Sequence, residues 1–216
     1  MKKLLLAAVA VFGLTVVNAQ EVSFGGKAGV NFATVTGDET DGIESRTAFH
    51  VGVVAEIMIS DKFSFQPELL YSAQGAKDSY SESESVGGFE YSYTEEVERK
   101  MDYLNLPLMA KYYVTDGLSI EAGPQIGFLL SSKEEYSYTE NFDGEVESGS
   151  EEVDFKDFTS GIDFGLNFGL GYKLENGLNF GARYNLGLSN VNDFEGSDNM
   201  KNQNGVFQIS VGYFFN

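Results

Sequence analysis

His50 is the sole histidine in a chain of 216 residues that has no cysteine. Imidazole chemistry therefore has one candidate, and thiolate nucleophiles, thiolate metal sites and disulfides have none. For hydrolysis, His50 would need a neighbouring carboxylate to orient it as a base. A second group of chemistry-bearing residues is charged: Lys27, Lys111 and Arg183 against Glu56, Glu68, Glu121 and Asp163. These lie among apolar residues together with Gln66, Asn105, Gln125, Asn167, Asn185 and Gln208, where an isolated charge is costly and a paired one is expected. A third group is acidic: Glu82, Glu84, Glu145 and Glu147 stand in segments rich in Ser and Tyr. Such carboxylates can take Ca²⁺ or a basic partner at the cell exterior, although no segment has EF-hand spacing and a solvated, mutually repulsive surface is the plainer role. The chain carries 33 Asp plus Glu against 14 Lys plus Arg, a formal net charge of −19. No basic face for nucleic acid is visible, and no cofactor motif is present.

What must position these residues is read from the chain's start onward. Met1-Lys2-Lys3, an apolar run from Leu4 to Val17 and the small residue Ala19 have the form of a secretory signal peptide over 1–19, with the mature domain at 20–216. No later stretch approaches a transmembrane helix, so a mature protein that enters a membrane must do so as a closed barrel.

Period-two alternation fills the remainder. It predicts eight strands, near 22–33, 46–59, 63–74, 102–114, 118–131, 158–174, 178–189 and 205–215. Ser60-Asp61-Lys62, Thr115-Asp116-Gly117 and Glu175-Asn176-Gly177 are expected as three-residue hairpin turns. Long polar segments at 34–45, 75–101, 132–157 and 190–204 alternate with them and hold 24 of the 33 acidic residues. The expected fold is all-β: an eight-stranded antiparallel up-and-down transmembrane β-barrel with short periplasmic turns, long acidic extracellular loops and both termini periplasmic, in the outer membrane of a Gram-negative cell.

A lipid-facing Lys or Arg at the bilayer midplane costs about 2–4 kcal/mol, so the all-apolar face is assigned to lipid and the polar face to the lumen. The lumen then receives Lys27, His50, Glu56, Glu68, Lys111, Glu121, Gln125, Asp163 and Arg183. A turn at 115–117 sets Lys111 opposite Glu121. Eight strands leave an interior that side chains fill, which predicts a charge-compensated plug. A soluble, lipocalin-like barrel would reverse the faces, and its exterior would then be dotted with Gly165, Gly169, Gly171, Gly181 and Gly187, a poor solvated surface. Tyr71, Tyr103, Tyr112, Tyr113, Tyr172 and Tyr213 sit near strand ends and are expected as an interfacial girdle. Pro67, Pro107 and Pro124 each remove a ladder donor, and bulges that curve the barrel are the expected reason.

Two further signals concern assembly and display. Ser210-Val211-Gly212-Tyr213-Phe214-Phe215-Asn216 is similar to the terminal-strand signature read by the outer-membrane barrel assembly machinery, matched at Ser210, Gly212 and Phe215. The segments Tyr91-Ser92-Tyr93-Thr94-Glu95 and Tyr136-Ser137-Tyr138-Thr139-Glu140 echo one another, and 79–98 and 134–154 are expected as hairpins continuing the sheet above the membrane.

The whole mature chain resembles the PorT-like outer-membrane β-barrel proteins, often called porin family proteins. The resemblance rests on Gly29-Val30-Asn31-Phe32, Phe65-Gln66-Pro67-Glu68-Leu69-Leu70-Tyr71-Ser72, Tyr103-Leu104-Asn105-Leu106-Pro107-Leu108, Lys111-Tyr112-Tyr113, Glu121-Ala122-Gly123-Pro124-Gln125, Phe164-Gly165-Leu166 and Gly169 to Tyr172. It implies an eight-stranded barrel without a catalytic site to carry over, and one member of the family takes part in protein secretion across the outer membrane. Three roles follow: a structural or interaction barrel displaying acidic hairpins, a narrow channel favoured by the lumenal glycines, and a hydrolase built on His50. The first is expected, and enzyme activity is not.

Overall fold

The computed structural model of the protein describes residues 21–215 except Gly88, with the side chains of Val86 and Asp198 also outside the description. The signal-peptide segment 1–19 lies outside the described residues. The described residues form nine antiparallel strands: β1 (Val22–Gly37), β2 (Glu44–Ser60), β3 (Phe63–Val86), β4 (Phe89–Tyr113), β5 (Leu118–Phe142), β6 (Glu145–Asp154), β7 (Ile162–Lys173), β8 (Leu178–Gly187) and β9 (Asn202–Phe215). Eight close a ring, because β4 pairs with β5, β5 with β7, and β9 returns to β1. The ninth, β6, pairs only with the upper part of β5. It is thus the returning arm of the expected 134–154 hairpin and no part of the wall.

At 24, 25 and 25 residues, β3, β4 and β5 are much longer than the roughly 9–11 residues with which a tilted strand crosses a bilayer. β3 and β4 pair from Phe63↔Tyr112 up to Val86↔Phe89, and β4 and β5 continue to Tyr91↔Phe142. The upper parts of β3, β4 and β5, together with β6, make a four-stranded sheet that rises from the rim; it is called the hairpin sheet below. Asp143 and Gly144 turn its last hairpin with positive φ at both positions, a two-residue geometry that Asp-Gly favours.

At the opposite rim the chain turns tightly. Val114 and Leu118, and Leu174 and Leu178, close three-residue turns through N–H···O bonds of 2.8 Å. Only Gly177 of the two turn glycines uses a left-handed φ. The turn at 61–62 has two residues, since Ser60 pairs with Phe63 across a register shift.

The outward face is apolar along every wall strand, with Phe32, Val53, Leu69, Leu108, Ile120, Phe168, Leu186 and Ile209 among the exposed side chains. The prolines do not sit at bulges. Pro67 pairs with Leu108, Pro107 with Gln125 and Pro124 with Leu166 in continuous register. The irregularity of β4 and β5 lies instead at Leu130, an extra residue between Tyr103↔Leu129 and Asp102↔Ser131. Residues 158–161, expected as the start of a strand, lie in a short 3₁₀ turn (Lys156–Phe158) and the connection after it, leaving β7 to begin at Ile162.

Two of the girdle tyrosines point inward. Tyr103 and Tyr113 are buried, whereas Tyr112, Tyr172 and Tyr213 are exposed. Strict alternation accounts for both, because 103 and 113 share the parity of lumenal Lys111.

Candidate functional site

The lumen is layered. Nearest the short turns lies a charge network centred on Glu68. Its Oε1 accepts from Gln66 Nε2 at 2.6 Å and Arg183 Nη2 at 2.8 Å, and its Oε2 accepts from Arg183 Nη1 at 2.9 Å. Lys27 approaches the same carboxylate at 3.3 Å. Arg183 Nη2 also donates to Glu121 Oε2 at 3.0 Å, and Lys111 stands 3.7 Å from Glu121. Lys111 is nearer Glu56, at 3.2 Å, and donates to Gln66 Oε1 at 3.0 Å. Glu56 in turn accepts from Lys173 at 2.8 Å, Ser64 at 2.9 Å and Tyr113 at 2.5 Å. Bidentate Arg–carboxylate geometry is among the stronger charge-assisted pairings, and every carboxylate of the network has at least two donors or cations around it.

Above this layer Asn31 is a hub. Its Nδ2 donates to Ser72 Oγ at 3.0 Å and to the Ala73 carbonyl at 2.7 Å, while its Oδ1 accepts from Gln208 at 2.9 Å. Asn185 donates to Asn167, and Asn167 to Gln125, across neighbouring strands. Asp163 lies nearer the long loops and accepts from Ser189 at 2.7 Å and Asn204 at 3.3 Å. A small apolar cluster then crosses the loop end of the barrel: Val35, Ala76, Met101, Tyr103, Leu129 and Val191, with Ile43 packed against it.

All nine predicted lumen residues therefore face inward. The network recruits others that alternation did not single out, notably Asn31, Lys173 and Tyr113. Lys173 adjoins a turn and reaches in from the rim. Asn31 was visible only as part of the strand-one motif.

The lumenal glycines have a specific use. A Cβ at Gly171 would come within 2.4 Å of Glu121 Oε1, one at Gly165 within 2.7 Å of Asn185 Nδ2, and one at Gly127 within 2.6 Å of Asn105 Oδ1. These positions make room for neighbouring polar side chains inside the barrel. A cavity of about 20 Å³ remains beside Lys27, Lys111, Arg183 and Ser210, space for a single water.

His50 is buried, with Nδ1 2.7 Å from Asn31 Oδ1 and Nε2 3.0 Å from Ser210 Oγ. Ser210, predicted as part of the assembly signature, thus turns into the lumen. The Ser210–His50–Asn31 connectivity is that of a nucleophile, base and orienting group. The cavity beside Ser210 has room for about one water, and the three side chains join β1, β2 and β9 by hydrogen bonds across the lumen. Phe215 points outward and is exposed, and Gly212 lets Asn179 approach, its missing Cβ lying 2.6 Å from Asn179 Oδ1.

The four acidic candidates do not gather. Glu82 and Glu84 lie on β3, Glu145 and Glu147 on β6, with β4 and β5 between, a spacing of about 14 Å at the usual strand separation. Among the described residues no group of three carboxylates or histidines could hold a metal ion.

The family described as outer membrane protein beta-barrel domain matches residues 18–193, and the chain belongs to it. It is accordingly an outer-membrane β-barrel protein. Solved structures to which the chain is similar include Ail, the attachment invasion locus protein of Yersinia pestis, with 11% identity, 90% of this chain and 99% of that chain covered and a TM-score of 0.46. Neisserial surface protein A has 13% identity, coverage of 90% and 99% and a TM-score of 0.44. CarO of Acinetobacter baumannii has 16% identity, coverage of 88% and 97% and a TM-score of 0.35. No curated protein matches the chain.

Proposed function

We propose that the protein is a closed-lumen, non-enzymatic barrel that anchors and displays its hairpin sheet at the cell exterior, acting as a surface-interaction scaffold. The observation that carries this is the division of the molecule into a lumen whose carboxylates Glu56, Glu68 and Glu121 are set among Lys27, Lys111, Lys173 and Arg183, with Asp163 held by Ser189 and Asn204, and a projecting sheet whose acids exceed its cations. A lumen so paired is costly to hydrate and open, because separating either partner leaves a buried charge uncompensated. The apolar cluster at the loop end supports the same reading. Within the family, the PorT-like motifs point to the PorT-like branch, with both termini in the periplasm, a signal peptide removed at Ala19, and Ser210, Gly212 and Phe215 read during assembly.

Orientation is directly testable because the chain has no cysteine. Ser83→Cys in the hairpin sheet and Asp116→Cys in a short turn are labelled with a membrane-impermeant maleimide. Ser83→Cys should react on intact cells and Asp116→Cys only after the outer membrane is permeabilised. The reverse pattern overturns the display reading.

A further inference from the structure

Cross-strand register sorts the hairpin sheet into two chemically different faces. One continues the lipid-facing side of the wall and carries Lys77, Lys100 and Lys133, each met by carboxylates: Lys77 by Glu96 at 2.8 Å, Lys133 by Glu152 at 2.5 Å, and Lys100 by Glu135. Its other positions are largely Ser and Thr, and its three lysines offset part of the charge of Glu90, Glu96, Glu98, Glu135, Glu152 and Asp154. The second face continues the lumenal side. Because the extra residue Leu130 flips the parity of β5, this face aligns Tyr80, Glu95 and Tyr138 in one cross-strand row, Glu82, Tyr93, Glu140 and Glu147 in the next, and Glu84, Tyr91, Phe142 and Glu145 above. Arg99 at the base of this face is already engaged, by Glu134, Thr159 and the Phe155 ring.

The upper rows thus combine carboxylates that meet no cation among the described residues with aromatic rings open to solvent. Tyr80 is 57% exposed and Phe142 54%. Phe89 and Phe142 stack at 6.0 Å and, with Glu84 and Tyr91, line a cleft of about 320 Å³. Tyrosine hydroxyls donate to neighbouring carboxylates, Tyr80 to Glu82 at 3.1 Å and Tyr93 to Glu95 at 3.3 Å, which orders both groups. Rings beside carboxylates suit a guanidinium or ammonium, which takes ion pairing from one and cation–π attraction from the other. Same-face positions repeat every two residues, about 6.8 Å apart along a strand. That repeat matches an extended polypeptide with Lys or Arg at alternate positions. The outer edge of β6 pairs with no strand among the described residues, so its main-chain groups offer such a segment a ledge.

We propose that the Tyr/Glu face of the hairpin sheet docks an extended Lys/Arg-rich segment of a protein partner. The proposal rests on the display reading above. The test uses the full chain in detergent micelles and a fluorescent peptide of alternating Arg and Ser, with binding followed by anisotropy. The peptide should bind saturably. Glu84→Gln/Glu140→Gln should weaken it about tenfold, equivalent to about 1.4 kcal/mol, and Tyr91→Ala/Phe142→Ala about fivefold. Glu90→Gln/Glu96→Gln, with the same charge change on the other face, should stay within about twofold. Equal loss from both faces would reduce the effect to net charge and overturn the proposal. So would absence of peptide binding, or binding of Ca²⁺ alone. Surface labelling of Ser83→Cys separates the two failures: labelled cells without peptide binding sink the docking face and leave display standing.

Discussion

Glu68 shows most clearly what a single residue contributes. With no exposed side-chain surface and both oxygens occupied by Arg183, it sits where removing one partner strands the other. Glu68→Ala should cost about 3–5 kcal/mol in urea unfolding of the micelle-bound protein, whereas Glu96→Ala on the hairpin sheet should cost no more than about 1 kcal/mol. Alternation showed that Glu68 and Arg183 face the lumen, and register showed Lys111 opposite Glu121. It could not show that Arg183 of β8 meets Glu68 of β3, or that Lys111 lies nearer Glu56, because these contacts cross the barrel between strands that never pair. Glycines divide by the same logic. A Cβ at Gly29 would fall 2.1 Å from the Ile209 carbonyl oxygen, while at Gly26 the nearest atom is 3.9 Å away. Gly29→Ala should therefore destabilise by about 1–3 kcal/mol in the same assay, and Gly26→Ala should be tolerated.

At the scale of elements, wall and hairpin sheet separate. β6 pairs only with β5, so excising residues 138–149 and joining the ends should leave the barrel's unfolding midpoint in urea unchanged. A lowered midpoint would mean that the sheet supports the wall. The link between the two is Arg46, whose Nε donates to Glu98 Oε1 at 2.6 Å. Burial pushes the Glu98 carboxyl up, but the Arg46 hydrogen bond and charge outweigh it and hold the carboxyl below its ordinary value of 4.5. A depressed folded value means that the contribution is fully present above pH 4.5 and is lost as pH falls through the lower folded value. Hydrogen-exchange protection at the base of β4, taken relative to the intrinsic rate at each pH, should accordingly fall on acidification below pH 4.5, and Glu98→Gln should abolish that pH dependence. The hairpins were legible in the sequence because the repeated Tyr-Ser-Tyr-Thr-Glu segments alternate like strands. The face they present was not, since the bulge at Leu130 reverses the parity of β5 without a glycine or proline to announce it.

For the whole molecule, the acidic excess is a property of the loop end, while in the lumen Glu56, Glu68 and Glu121 are offset by Lys27, Lys111, Lys173 and Arg183. The barrel class, its turn end and its polar interior follow from period-two patterning and from the cost of charge in lipid. The apolar cluster over the lumen does not, because Ile43 and Val191 come from long segments without periodicity. Together, that cluster, the polar side chains inside the barrel and a cavity with room for one water support the proposed reading of a sealed anchor for an exposed sheet. Single-channel recording of the purified, reconstituted protein in planar bilayers at high salt tests this most directly. A sealed lumen predicts a flat baseline without unitary steps across the applied voltage range. Steady, cation-selective steps from the unmodified protein would contradict it.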